Sequence, residues 1–570
     1  MADIIRDAPI GQILRFVSRN RLLQYPDEKA DFQLPPQWAS LIDNLDSSPP
    51  RTDDSTGAIQ EGSNGSSDVE AGQLQRCQSA NTNGNSSDAS CIPITPTVTK
   101  DGVILVDWYN SNDPENPHNW SRGKRAAIAA IICIYTFVVY TSSAIYTASE
   151  EGVMQAFGVS RIKATLGLAL YVLGYGVGPL IFSPLSEIPI IGRSPVYAVT
   201  MLLFVIISIP TAFAPNYPGL MVLRFLQGFF GSPCLASGGA SLGDIYSFMA
   251  MPFALTAWVA AAYCGPALGP LLSGFSVPAV SWRWSLFESI WASAPVFLVM
   301  LVSLPETSTP NILLHRARRL RKLTGDQRLV SKSEIDQQDM KPSSIMVDAF
   351  IKPLEITIKD PAVLFVQVYT AIIYGIYYMF FEAFPLVYPV YYHMNLGQVG
   401  LVFLCILVAC LLAVFSYCVY IYAVVNPRTL KSGMGPNEDR LIPALAVSVF
   451  PTIGLFLFAF TSRSDIHWIV PTIGITIYAG TCFIIMQCIF VYIPLSYPPY
   501  AASLFAANDF FRSAFACGAV VFSQPMFANL GIARGVSLLG GLSGIGIIGI
   551  WLLYFFGAML RARSRFAVSG

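Results

Sequence analysis

Five ionisable residues stand inside long apolar stretches of this chain: Arg224 in "RFLQGFFGSP", Glu288, Glu382 in "YYMFFEAFP", and Asp509 and Arg512 in "ANDFFRS". Charge among hydrocarbon is costly unless it faces a partner or a wet cavity, so such residues are candidates for moving ions or holding a charged or planar solute. Asp509 and Arg512 lie three apart, on one helical face, and that spacing favours a structural pair over direct contact with a solute. Arg224 has no acidic residue within one turn, so its partner comes from another segment or from a wet cavity. Glu382 is flanked by Tyr377, Tyr378, Phe380, Phe381 and Phe384. A carboxyl among aromatics can hold a proton near neutral pH, because leaving water disfavours the charged form. It can also attract a cationic or planar solute. The competing reading is an aromatic belt at the bilayer surface. Arg224 is therefore a candidate for direct contact with a solute, Glu382 and Asp509 are candidate proton-handling groups, and Tyr378, Phe381, Glu382, Asn508 and Arg512 the candidate cavity residues.

The elements that must position these residues follow from composition. Hydrophobic residues make up 54% of 570 and charged ones 12%, about half the charge of a soluble chain. Net charge is zero, so nothing global points to nucleic acid. Apolar runs of roughly 20 residues, long enough to cross a bilayer as helices, recur twelve times. They fall at about 126–148, 164–184, 195–213, 218–240, 251–275, 286–304, 362–388, 396–425, 441–461, 468–493, 500–525 and 535–560. The first begins after residue 125, which excludes a cleavable signal peptide.

Loop charges orient the spans. Arg122, Lys124 and Arg125 precede span 1; Arg316, Arg318, Arg319, Arg321 and Lys322 follow span 6. Arg428, Lys431 and Arg440 lie between spans 8 and 9, and Arg561, Arg563 and Arg565 follow span 12. With twelve spans all these loops share one side. The positive-inside rule makes that side cytoplasmic, with both termini and the middle loop.

Other chemistry finds no support. Of eleven cysteines, Cys77 and Cys91 fall in the tail and nine inside spans, so no structural disulfide is expected. No Cys/His metal spacing occurs, the four histidines flank no nucleophile, and a phosphate-binding G-x-x-x-x-G-K-[ST] loop is missing. No metal, cofactor or ATP motor is expected.

Outside the spans, residues 1–45 read as an amphipathic cytoplasmic segment. In 8–23, Ile10, Ile13, Leu14, Val17 and Leu22 share a helical face, suited to the inner leaflet or to the protein's own cytoplasmic side. Residues 46–105 read as a disordered cytoplasmic tail, Ser-, Asn-, Gly- and Asp-rich over 46–100. The Asn64 and Asn85 sequons there would be unused on a cytosolic tail. A central loop, 305–361, separates a six-span bundle at 126–304 from another at 362–560, with a short C-terminus at 561–570; two similar halves are expected. Its basic "HRARRLRKL" at 315–323 reads as a surface helix at the inner leaflet or as a solvated charge run.

Several stretches then carry a resemblance: "DPENPHNW" (113–120), "GYGVGPLIFSPLSE" (174–187), "LRFLQGFFGSPCLASGGASLGD" (223–244), "CGPALGP" (264–270), "SWRW" (281–284), "LPETS" (304–308), "KPLEIT" (352–357) and "FAANDFFRS" (505–513). Together they resemble the major facilitator superfamily, specifically the fungal twelve-span drug:proton antiporters linked to azole and benomyl resistance. The resemblance covers nearly everything after residue 105. It implies an all-α membrane protein with twelve transmembrane helices in two six-helix halves, acting as a monomer in the plasma membrane. It assigns proton coupling to Arg224, and the antiporter-marking glycine–proline motif to Gly265, Pro266, Gly269, Pro270 and Gly274. The family's gating loop, G-x-x-x-D-x-x-G-R, is imperfect: Ser183 holds the first Gly place, Glu187 stands for Asp, and Gly192 and Arg193 complete it.

The expected function is export of hydrophobic or amphipathic drugs, fungicides or toxins by alternating access, driven by protons moving in. Two alternatives remain: a proton-coupled uptake symporter for a nutrient such as a polyamine or sugar, and a non-transporting membrane sensor. The aromatic, apolar cavity candidates speak against sugar. The ten or so residues after span 12 speak against a sensor, which carries a long cytoplasmic domain. The spacing of Gly265, Gly269 and Ser273 gives span 5 a face without bulk, suited to close packing on a helix of the other half.

Overall fold

The computed structural model describes residues 2–47, 92–99, 102–338, 351, 354–433, 435–497 and 501–566. Ten single crossings are Arg122–Phe157, Arg161–Glu187, Arg193–Ala212, Tyr217–Ile245, Met251–Ala279, Trp284–Ser303, Pro361–Tyr392, Leu396–Ser432, Asn437–Thr461 and Ile469–Ser496, here spans 1 to 10. The last apolar stretch, Ser503–Arg563, runs 61 residues. At 1.5 Å per residue it would be about 90 Å long, three times a bilayer core. Gly531 divides it, with φ 76° and ψ 163°, a geometry open to glycine and strained for other residues. The chain turns back there, since Gly535 packs on Phe527. Spans 11 and 12 are the two pieces, so the expected twelve crossings are present.

Spans 1–6 and 7–12 form two groups. Within each, glycines bring backbones together: Gly174 of span 2 faces the Phe225 carbonyl of span 4, and Gly454 of span 9 faces the Gly474 carbonyl of span 10. Between the groups, Gly176 of span 2 sits on Ser513 of span 11, and Gly274 of span 5 on Leu396 of span 8. Small residues do this because packing, not water exclusion, drives helices together in lipid. Span 7 is central, with 78% of its most apolar window buried, against 28% for peripheral span 6. Phe415 and Phe555 point outward, 71% and 65% exposed, as side chains facing lipid do.

Outside the membrane part is a small folded unit that the sequence reading does not anticipate. Strands β1 (Thr97–Val98), β2 (Ile104–Leu105) and β3 (Leu329–Val330) form one sheet in the order β1-β2-β3, with β2 antiparallel to β1 and parallel to β3. They cover a core of Trp38, Ile104, Val106, Ala317, Leu320 and Leu329. Residues 92–99 and 102–105, assigned by composition to the tail, therefore hold structure, while 48–91, with both sequons and Cys77 and Cys91, lie outside the described residues. The basic run belongs to the helix Thr309–Thr324. Arg316 donates to both Asp113 oxygens (2.7 and 3.0 Å), and Arg319 to Asp27 and Glu115 (both 2.8 Å). These arginines thus meet carboxylates instead of lipid or solvent. The helix Pro9–Val17 rests on the protein through Gly11 and Arg15, the latter bonded to Glu28, while Phe16 and Val17 are 86% and 75% exposed.

Candidate functional site

Span 1 is interrupted. Its first helix, Arg122–Ala144, ends inside the protein, and a short 3-10 turn, Thr147–Ser149, leads to a second helix, Glu150–Phe157. A helix end leaves carbonyls unpaired and carries partial negative charge. Arg224 of span 4 fills that role. Fully buried, it donates to the carbonyls of Ser142 (3.1 Å), Ser143 (3.0 Å) and Gly167 (3.1 Å), and to the Gln227 side chain (3.0 Å). Gln227 in turn donates to Ser208 (2.7 Å). The Arg224 guanidinium also lies 4.5 Å from the Tyr171 ring centre and 4.9 Å from that of Tyr146, a favourable cation–π geometry. Among the described residues no carboxylate lies within ion-pair distance of it.

Ser143 continues inward. Its hydroxyl shares a hydrogen bond with Tyr378 of span 7 (3.2 Å), and Tyr175 of span 2 donates to the same Tyr378 oxygen (3.0 Å). Tyr175 is also bonded to Tyr374, one turn back on span 7. Arg512 of span 11 pairs with Asp509, as their spacing suggests, reaches the Tyr140 hydroxyl (3.4 Å), and lies 4.4 Å from the Tyr374 ring centre. A hydroxyl cluster thus joins the halves and links the surroundings of Arg224 to the Asp509–Arg512 pair.

The remaining cavity candidates separate along the bundle. Phe381 stacks on Phe403 of span 8 at 5.0 Å. The aromatics around Glu382 are all buried, so they form the interior of the bundle and not a belt at its surface. Asn508 donates to Gln367 (2.6 Å) and Thr370 (2.7 Å) on span 7. Its carbonyl oxygen has no partner among the described residues, and Asn508 lines a narrow cleft with Gln367, Phe490 and Phe505. Glu382 is 1% exposed, and among the described residues neither of its oxygens meets a donor. The halves meet one another through the cluster.

The glycine–proline motif meets a different partner from the one expected. A Cβ on Gly265 would stand 2.7 Å from the Tyr140 Cβ and 2.8 Å from the Phe137 carbonyl; one on Gly269 would stand 2.6 Å from the Ile145 nitrogen. That face packs on span 1 of its own half, against the helix end capped by Arg224. Thr141 seals the contact by donating to the Gly265 carbonyl (3.0 Å). The other half is met on the opposite edge, where Gly274 faces Leu396 and Gly400 faces Pro270. Pro266 lies inside the same unbroken helix.

In the gating loop, Arg193 pairs with Asp244 at the end of span 4 (3.0 Å), while Glu187 is exposed. Gly192 has φ 76°, and a Cβ there would meet the Glu306 carboxylate at 2.5 Å. Glu306, from "LPETS", accepts from the N–H groups of Arg193 (3.1 Å) and Ser194 (3.0 Å) at the start of span 3. Arg283, from "SWRW", donates to the Ala212 and Ala214 carbonyls at the other end (both 3.1 Å). Opposite charges thus cap span 3 in the sense its dipole favours. Sequence reasoning quoted these motifs without finding those roles, because each partner lies tens of residues away.

A family model described as Major Facilitator Superfamily matches residues 131–521. The chain is 42% identical over 574 residues to the MFS-type transporter pyvG of Aspergillus violaceofuscus, with 100% of each chain covered. It is 38% identical over 505 residues to Fluconazole resistance protein 1 of Saccharomyces cerevisiae, covering 88% of this chain and 90% of that one. A structure of the proton:xylose symporter XylE bound to 6-bromo-6-deoxy-D-glucose is similar with a TM-score of 0.54 at 13% identity, covering 77% of this chain and 96% of that one. At that identity the likeness concerns the fold alone. With the family model spanning both halves and relatives matching along nearly the whole length, the chain belongs to the Major Facilitator Superfamily, whose members are multi-pass membrane transporters and not enzymes.

Proposed function

We propose that this transporter exports hydrophobic or amphipathic compounds, antifungal drugs among them, from the cytoplasm across the plasma membrane in exchange for protons. The single observation that carries the reading is Arg224, a buried cation held by the end of span 1 with no carboxylate partner among the described residues, in a chain similar to a fluconazole resistance protein. Both termini and the small folded unit lie on the cytoplasmic side, where the basic loops gather. The monomer alternates between two arrangements of its halves, and the hydroxyl cluster between spans 1, 2 and 7 is remade at each cycle. Moving the end of span 1 removes carbonyls from Arg224, so that residue couples span 1's position to charge. Each proton moving in contributes roughly 2.3 kcal/mol per 100 mV and about 1.4 kcal/mol per pH unit. About 2.7 kcal/mol supports a hundredfold solute gradient.

The test is expression in a pump-deleted yeast, with fluconazole resistance and cell content of labelled fluconazole as readouts. Raised resistance with lowered content, abolished by a protonophore, is expected. Raised content of the solute would replace export by uptake.

A further inference from the structure

Span 7 turns residues 374, 378 and 382, spaced by four, towards the first half. The first two end on Tyr175 and Ser143. One turn further from the termini, Glu382 meets Glu150, the first residue of the second helix of span 1. The two carboxyls are within side-chain hydrogen-bonding reach of each other. Glu150 is 6% and Glu382 1% exposed. Among the described residues, both Glu382 oxygens and Oε1 of Glu150 lack a donor.

Their surroundings offset only part of their charge. The charged and titratable groups facing the pair are Arg161, at the start of span 2, and Tyr146, with Arg224 behind the Tyr146 ring. Arg161 forms no ion pair with either glutamate within 4 Å among the described residues. The Tyr146 hydroxyl donates to the Ala164 carbonyl (3.0 Å). Two buried carboxylates facing each other repel, and among the described residues no group supplies the missing donor. One proton does: it makes one carboxyl the donor and the other the acceptor of a charge-assisted hydrogen bond.

We propose that Glu150 and Glu382 share one proton across the two halves and that this proton latches the side of the bundle remote from the termini. The inference rests on the proton-coupled reading and adds Glu150, a residue outside the family motifs quoted above. A hydronium ion on the remote side gives its proton to an oxygen of one glutamate and leaves as water. The new O–H donates to the other glutamate and holds spans 1 and 7 together. When the proton leaves, two anions face each other and the remote side parts. For an exporter whose remote side faces outwards, a proton arriving from outside therefore closes the outer side behind it.

The test needs no substrate. Full-length protein in lipid nanodiscs is labelled by hydrogen exchange after equilibration at pH 5 or pH 8, with correction for intrinsic exchange rates. Peptides covering 147–160, 276–285 and 388–398 report the remote ends. In the wild type their exchange should be at least about threefold slower at pH 5 than at pH 8. Glu150→Gln and Glu382→Gln each place an amide N–H where the shared proton would be. Each should stay in the slow state at both pH values. Equal wild-type exchange at the two pH values overturns the latch even if neither variant folds. So do Gln variants that keep the wild-type pH response. A latch that responds in a protein that does not export fluconazole would leave this inference standing and remove the drug-export reading alone.

Discussion

The two buried arginines of the membrane core differ in how their charge is balanced. Arg512 carries its counter-charge on its own helix: Asp509 is one turn away, so the pair stays whole wherever span 11 moves. Arg224 has no such companion. Its donors end on carbonyls of spans 1 and 2 and on Gln227, and two of those carbonyls exist as free acceptors only because the first helix of span 1 stops there. A balance built within one helix is insensitive to tertiary rearrangement. A balance built from three spans is not, and that makes Arg224 the conformationally exposed charge of the two.

Breaking the second kind of balance should have the largest effect. Arg224→Ala removes the cation and strands the Ser142, Ser143 and Gly167 carbonyls. We expect fluconazole resistance to fall to that of the host strain with protein still at the cell surface. Arg224→Lys keeps charge but cannot reach several carbonyls at once with a planar fork, so partial recovery is expected. Full resistance with alanine would place coupling elsewhere.

The next test moves from the cation to the helix end it caps. Gly269 lies against Ile145 and Ala144, with a Cβ position 2.6 and 2.9 Å from their backbone atoms. Backbone does not yield as a flexible side chain does, so even one methyl group overpacks the contact, at about 1–3 kcal/mol. Gly265→Leu and Gly269→Leu should abolish export, and the alanine variants should already impair it severalfold. Gly541 and Gly544, in span 12 with open space around them, provide the contrast: alanine there should leave transport unchanged. Equal tolerance at all four sites would show that close packing on span 1 is not required.

The self-contained pair should show a stability effect that its own partner can relieve. Asp509→Asn leaves Arg512 charged and buried without its carboxylate, a loss of about 3–5 kcal/mol. Lower surface abundance and an earlier melting transition are expected. Adding Arg512→Gln removes the uncompensated charge and should restore part of both. A double variant no more stable than the single would mean that Tyr140 and Tyr374, not Asp509, dominate the arginine's surroundings.

The contrast between the arginines also separates what could be read from sequence. The i, i+3 spacing announced the Asp509–Arg512 pair, and the lack of an acid within a turn announced that Arg224 is balanced from elsewhere. Both are local statements. The span count was equally legible, because each crossing is a local run of apolar residues, and the Gly531 reversal falls where spans 11 and 12 were divided. What a helix packs against is not local. The smooth face of span 5 was visible, yet its partner is span 1 of the same half and not a helix of the other. Glu150 sits in "TASEEGV", just beyond the end of span 1 as its apolar run bounds it; only the interruption at residues 145–149 carries it inside to face Glu382. The unit outside the membrane was hidden for the same reason, since β2 and β3 are more than 200 residues apart.

That unit offers the mildest test, because its charges are balanced outside the membrane. Burial pushes the Asp113 carboxyl up, but the Arg316 guanidinium and the N–H groups of Tyr109 and Glu115 outweigh it and hold the group below its ordinary value. A carboxyl depressed in the folded state stabilises the fold above the unfolded value, about 3.9, and the contribution disappears as pH falls through the folded one. Asp113→Asn should therefore lower the melting temperature by the same amount at pH 8 and pH 5, with the gap narrowing only below about pH 4. The loss should be modest, about 1–3 kcal/mol, because Arg316 keeps Glu115 within 3.3 Å. Export per surface molecule should not change, since the residue touches neither the hydroxyl cluster nor the end of span 1. A variant that reaches the surface normally yet fails to export would tie the small unit to the transport cycle.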